Sequence, residues 1–352
     1  MERIAYMRLL ICTQKVDKND PILGFFHRWI EEFATRCEQV IVVCLEEGAH
    51  SLPTNVRVLS LGKPYSAPDS AKATTGKKAT KGEGARLLSR VTYAMRFRKL
   101  IKDNVSGYDA VFVHMNPEYV VLGGRFWKRH GKQVSLWYVH KSVTPWLRLA
   151  LRLVDVVFTA SAGSFRLKSP KVRVVGHGID TDFFSPVPRQ PSHELGILSI
   201  GRLDPSKRHD LIIRACALLQ KPFILTIVGP GQERAALEKL AQDLHIEQKV
   251  KFLGARTQEQ VRDLYRQSDF FVHASETGSL DKVVLEALAT DLPVITTAGE
   301  IFKEFSVYRV SATPEAIAEA LQTEREPFDR ARIIREKHSL TRLIERIVSL
   351  LS

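Results

Sequence analysis

Ser199-Ile200-Gly201-Arg202-Leu203-Asp204-Pro205-Ser206-Lys207-Arg208-His209-Asp210 runs from an apolar stretch through a glycine turn into a helix start, and it carries two bases five positions apart. At the carboxyl end of a parallel strand such a turn can pin a diphosphate: Arg202 offers a planar two-point fork and Lys207 a compact charge. The same residues also suit a surface helix start with ordinary solvated bases. Both readings stand until the neighbouring turns are read.

Downstream, Ile227-Val228-Gly229-Pro230-Gly231 follows the next strand-like run, and Gly229 lets backbone approach a ligand where a side chain would block it. Then comes Glu276-Thr277-Gly278-Ser279-Leu280-Asp281-Lys282-Val283-Val284-Leu285-Glu286-Ala287-Leu288-Ala289. Its small-residue loop, Gly278, Ser279 and Leu280 with Asp281 and Lys282, opens a helix whose free N–H groups suit an anion or sugar hydroxyls. Glu286 stands inside that otherwise apolar helix. A carboxylate there needs hydrogen-bond donors, which a ribose diol would supply and which neighbouring backbone or basic groups could supply equally.

Short apolar runs alternate with helical patterns along the whole chain, which predicts parallel sheets with right-handed crossovers. The fold class expected is α/β, with two doubly wound Rossmann-like domains facing each other across a cleft. A length of 352 residues exceeds what one hydrophobic core usually organises. The Pro-punctuated stretch from Phe183 to Glu194 sets the expected boundary, giving domains 1–183 and 184–335. Helix 340–351, apolar on one face, is expected to pack back on the first domain.

Composition narrows the class. A hydrophobic fraction of 44% and a charged fraction of 26% exclude a disordered or fibrous chain. No window approaches eighteen consecutive apolar residues. Cys12, Cys37, Cys44 and Cys216 share no metal-ligand spacing, so reduced thiols and a cytoplasmic setting are expected. The chain holds no His/Cys cluster with ligand spacing, and neither a metal nor a cofactor is expected. Net charge is +13, and +9 of it falls between Leu61 and Lys102. That basic segment suits an anionic membrane surface, hence peripheral attachment to the membrane's inner face, or else a solvated loop; 65–84 should be a disordered insertion. No nucleic-acid partner is expected.

In order, Gly-Arg-Leu-x-x-x-Lys, Val-Gly-x-Gly, Phe-Leu-Gly, the Gly-Ser loop with Leu-Glu-Ala-Leu-Ala, and Pro-Val-Ile resemble the family-four group of retaining nucleotide-sugar glycosyltransferases, of GT-B architecture. The resemblance implies a metal-independent hexosyltransferase of the kind used in cell-envelope polysaccharide synthesis, with a nucleotide-sugar donor and a glycan or lipid-linked acceptor. It places Arg202 and Lys207 on the donor diphosphate, Glu286 on the ribose, and Gly229 and the turn Gly254, Ala255, Arg256 on the base side. Gly24, after the first strand, corresponds to the family's Gly-rich turn near the diphosphate, while Pro21 and Gly24 equally suit plain turn chemistry. His140, ending a strand, is the catalytic candidate beside the transferred sugar, and His114 the candidate for the acceptor side. Where the family has a first Glu near the donor sugar this chain has Gly278, with Asp281, Lys282 or Glu276 available to compensate. The alternative function is a non-catalytic nucleotide-sugar or polyanion binder of the same fold.

Overall fold

The structure is a computed structural model; it describes residues 7–20, 22–63, 83–188, 192–275, 281–298, 305, 307–323 and 329–352, with the backbone alone at 83–89. The chain divides into two units, residues 1–178 with 340–352, and residues 179–339. The expected boundary between 183 and 184 would cut a T-shaped pair of rings, Phe183 and Phe184, and Phe184 is buried in the core of the second unit. Prolines after 185 resemble a linker in sequence, but the change of unit comes earlier, at Gly178.

Unit 1 runs β1 (Arg8–Val16), α1 (Phe25–Ala34), β2 (Gln39–Glu47), β3 (Val56–Ser60), α2 (Glu83–Asp103), β4 (Ala110–His114), α3 (Pro117–Arg129), β5 (Gln133–Trp137), α4 (Pro145–Leu153), β6 (Val156–Thr159) and β7 (Val172–Val174). The strands form one parallel sheet in the order β3-β2-β1-β4-β5-β6-β7. Side chains alternate across the strands, so the sheet feeds two cores. Leu9, Ile11 and Val42 face α1, whereas Leu10, Ile41 and Val43 face Phe97 of α2, Trp127 of α3 and Leu147 of α4.

Unit 2 runs β8 (Leu195–Ile200), α5 (His209–Ala217), β9 (Phe223–Val228), α6 (Arg234–Asp243), β10 (Val250–Gly254), α7 (Gln258–Gln267), β11 (Phe270–His273), α8 (Lys282–Ala289), β12 (Val294–Thr296), β13 (Tyr308–Arg309), α9 (Pro314–Gln322) and α10 (Arg330–Lys337). Its parallel sheet has the order β10-β9-β8-β11-β12-β13. Side-chain caps start three of its helices: Thr257 closes a reciprocal capping box with Gln260 on α7, Thr313 caps α9 ahead of Pro314, and Asp329 caps α10. The last helix, α11 (Leu340–Leu351), belongs to unit 1, where Leu343, Ile344, Ile347 and Leu351 join the α1 core. The four cysteines are buried and free, and burial raises each thiol above its ordinary range.

The basic insertion expected at 65–84 lies outside the described residues apart from its last two positions, where α2 begins.

Candidate nucleotide site

The turns after β8, β9 and β10 interlock through backbone. Gly201 N–H donates to Val228 O, Gly229 N–H to Gly254 O, and Leu203 N–H to Pro230 O, each at 2.9 Å. Gly229 has φ of 139°, and a Cβ there would stand 1.9 Å from Gly201 O, so only glycine permits the approach. Gly254 also lies at positive φ, 69°. At Gly231 a Cβ would meet Leu203 O at 2.2 Å. Two glycines thus lock the Arg202 loop against the β9 turn.

That locked loop presents Arg202 and Lys207 differently. Arg202 extends outward, with 73% of its side chain exposed, and pairs with Asp204 at 3.1 Å. Lys207 ends a short 3-10 turn, Pro205–Lys207, capped by Asp204 accepting from Ser206 N–H. Arg208 follows in the left-handed region at φ 51°, a conformation uncommon for a side-chain-bearing residue. The Lys207 stem folds back over Gly201, where a Cβ would stand 3.3 Å from it. Its ammonium pairs with Asp281, the residue before α8. His209 is buried beneath the same turn, 3.2 Å from Ser199 Oγ through Nδ1, and burial pulls its pKa down to about 4.

Around the start of α8 the charges are paired and largely buried. Asp281 Oδ2 lies 3.0 Å from Nε2 of His273, at the carboxyl end of β11. Burial alone would raise the Asp281 pKa, but the His273 hydrogen bond and the Lys207 charge outweigh it and hold it well below the carboxylate range. Lys282 Nζ reaches Glu286 Oε1 at 2.6 Å, one helical turn on. On the other oxygen of Glu286, Oε2, the Tyr265 hydroxyl stands at 3.3 Å, while it also donates to Val283 O at 2.9 Å. Tyr265 stays protonated, since burial and the Glu286 charge both raise its pKa. A carboxylate has about four acceptor positions, so Glu286 keeps capacity for two more donors such as a ribose diol.

The structure therefore brings Lys207 and Asp281 into contact and sets Lys282 and Glu286 in the next turn, with Gly229 and Gly254 on the adjoining strand ends. Arg256 is half-buried in the following loop and donates to its neighbour Ala255 O at 2.9 Å. Gly278, Ser279, Leu280 and Glu276 lie outside the described residues. Neither Asp281 nor Lys282 presents an uncommitted charge, because each is already in an ion pair.

In unit 1 the candidates take separate environments. His140 is exposed in the loop after β5, its Nδ1 accepting from Ser142 N–H at 3.0 Å. His114 is buried, stacked on Phe26 with ring centres 4.0 Å apart, and its Nδ1 lies 3.3 Å from Thr13 Oγ1. Burial pulls its pKa down to about 3, which makes it a neutral packing ring between α1 and the sheet. Gly24 begins α1, where a Cβ would stand 2.4 Å from Asp20 O. Its N–H donates to that same oxygen at 2.8 Å, so tight turn packing accounts for glycine there and its amide is already committed.

Sequence reasoning passed over His273, Thr296 and Tyr265. His273 carried a usable signal, a histidine ending a strand, the same one that singled out His140 and His114.

Residues 180–322 match the family model described as glycosyl transferases group 1. The chain is 32% identical over 140 residues to a D-inositol 3-phosphate glycosyltransferase of Mycobacteroides abscessus, a match covering 36% of this chain and 32% of that protein. It is 26% identical over 226 residues to the N-acetylgalactosamine-N,N'-diacetylbacillosaminyl-diphospho-undecaprenol 4-alpha-N-acetylgalactosaminyltransferase of Campylobacter jejuni, covering 58% of this chain and 61% of the relative. The chain thus spans about a third of the length of the inositol-phosphate enzymes it matches. Among solved structures, Anabaena HepE in complex with UDP and glucose superposes with a TM-score of 0.71 at 17% identity, over 98% of this chain and 99% of that one. This likeness establishes the GT-B type of fold, built from two Rossmann-like units.

Proposed function

We propose that this chain, whose residues 180–322 form a glycosyl transferases group 1 domain, moves a sugar from a nucleotide-diphosphate sugar to a glycan or lipid-linked acceptor. We read the transfer as metal-independent and as retaining the configuration at the anomeric carbon, as the sequence resemblance implies. The observation that carries the proposal is the locked turn after β8, which presents Arg202 and Lys207 beside the glycine turns of β9 and β10 and the start of α8.

Each residue then has a task set by its chemistry. Arg202, exposed, supplies a two-point fork to phosphate oxygens, while Lys207 supplies a compact charge to the departing diphosphate. Stabilising that leaving group lowers the barrier by several kcal/mol, about 10² to 10³ in rate for one donor of this kind. Glu286, held by Lys282 and Tyr265, offers its remaining acceptor positions to the ribose hydroxyls. Gly229 and Arg256 flank the base, and His140 is the proposed active-site side chain of unit 1. HepE, solved with UDP, supports UDP as one candidate nucleotide, with GDP the other.

Incubating purified protein with a panel of UDP- and GDP-sugars and measuring nucleotide diphosphate release tests the reading. Wild type should release diphosphate from at least one donor, and Arg202→Ala should slow release by about 10² or more with the fold intact. Unchanged release in Arg202→Ala would remove it from the site. Donor binding with no release under any acceptor condition would favour the non-catalytic binder instead.

A membrane-bound acceptor fits a second observation. On the face of the unit 1 sheet covered by α2, α3 and α4, large apolar side chains point outward: Val91, Met95, Trp146 and Leu149. Arginines interleave with them, and among the described residues Arg90, Arg98, Arg148 and Arg152 make no ion pair with a carboxylate. Apolar anchors among unpaired arginines suit the interface of an anionic bilayer. No helix of the described residues is long and apolar enough to cross one.

A further inference from the structure

Lys207 has two claimants. Its ammonium already pairs with Asp281, and the nucleotide reading assigns the same ammonium to a diphosphate. Asp281 has a second donor on a different element, His273 Nε2 at 3.0 Å. His273 is itself fixed from behind: its Nδ1 lies 3.1 Å from Thr296 Oγ1 on β12, and that oxygen accepts from Ala298 N–H at 3.1 Å. A carboxylate only accepts, so the Nε2 position carries the proton that binds Asp281. His273 and Thr296 are both buried, so the arrangement is held by packing as well as by hydrogen bonds.

We propose that Asp281 competes with the nucleotide diphosphate for Lys207, and that His273 is a donor that holds Asp281 hydrogen-bonded once the lysine turns to the phosphate. This rests on the nucleotide reading given above. Each donor that a buried carboxylate loses is costly, so Asp281 gives up the lysine more readily when His273 stays in place. With His273 in place the exchange leaves no bare charge. Asp281 then acts as a built-in counter-ion: it sets how tightly nucleotide is held, and it offers Lys207 a partner again when the diphosphate leaves. The sign of its effect follows from two opposing terms. Its negative charge repels a diphosphate a few ångströms away in a partly buried site, whereas its tether orders a single lysine side chain. The charge term is the larger at such distances.

Titration calorimetry of UDP and GDP against wild type, Asp281→Asn and two His273 variants tests the competition. Asp281→Asn should bind the nucleotide about tenfold more tightly, equivalent to about 1.4 kcal/mol. His273→Phe, which removes the second donor, should bind about tenfold more weakly, because Asp281 then holds Lys207 more firmly. His273→Gln, which keeps a donor and an acceptor in place, should stay within about twofold of wild type. Opposite shifts from two residues in contact are not what lost structural support produces, since that would weaken both. Equal or weaker binding by Asp281→Asn overturns the competition. Should that variant fail to fold, wild-type or tighter binding by His273→Phe overturns it. A wild-type protein that binds neither UDP nor GDP defeats the nucleotide reading itself, and this proposal with it.

Discussion

Three buried histidines tie the stability of this protein to pH. Burial lowers the pKa of His27 and His114 in unit 1 and of His209 in unit 2 from an ordinary value near 6.5, to about 3 for His114 and about 4 for His209. Between those values and 6.5 the unfolded chain binds more protons than the folded one, so stability is full above about 6.5 and falls as pH falls through that window. Carboxylates act lower. Asp20, Asp204 and Asp281 have depressed pKa values despite partial burial, so their contribution fades only as pH drops below the ordinary carboxylate range. The four tryptophans, Trp29, Trp127, Trp137 and Trp146, all lie in unit 1, so tryptophan fluorescence follows His114 without interference from His209. In urea unfolding at pH steps from 7 to 4, His114→Gln should flatten the loss of unit 1 stability by up to about 1.4 kcal/mol per pH unit. An unchanged slope would show that His114 is protonated in the folded protein.

Among the elements, α4 and α2 carry the membrane reading, and α4 can be tested in isolation. Thr144 caps it and Pro145 starts it, while Leu147 and Ala150 face the core. Trp146, Arg148, Leu149 and Arg152 are left on the outer side, with Trp146 half exposed. In sedimentation with phosphatidylglycerol-containing vesicles, Arg148→Ala and Arg152→Ala should each weaken binding about fivefold at low salt, about 1 kcal/mol per charge, and Trp146→Ser should weaken it at all salt concentrations. Wild-type binding in all three variants would assign that face to another role. These helices were also poorly legible in the sequence. α2 is obscured by its basic, low-amphipathicity composition, and α4 reads only as a greasy stretch. β3 and β13 lack the continuous apolar run that marks the buried central strands: both lie at a sheet edge, and β13 is only two residues long. The central strands and α8 were legible because burial on both sides forces that run. Glu286 was legible for the converse reason, as one charge inside an apolar helix. The partners of Asp281 were not, because His273 and Lys207 lie far from one another in sequence and meet only through the order of β8, β11 and β12.

At the scale of the whole chain, the units share a plan and are joined by two crossings of the chain. The polypeptide leaves unit 1 after Gly178 and returns at Leu340, and the two crossings run side by side, Ile179 N–H donating to His338 O at 2.7 Å and Ile179 bridging Ser339. Gly178 itself sits at φ 72°, where a Cβ would meet Trp29 and Leu343, so glycine is required where the chain turns out of unit 1. The C-terminal helix thereby completes the α1 core of the domain that began the chain, which a linear boundary drawn at a proline-rich stretch does not capture. A crystal structure of the protein with UDP or GDP bound addresses the account most directly. Phosphate oxygens within hydrogen-bonding distance of Arg202 and Lys207, with the ribose hydroxyls on Glu286, are the predicted result; a nucleotide seated elsewhere, leaving these three side chains untouched, would contradict it.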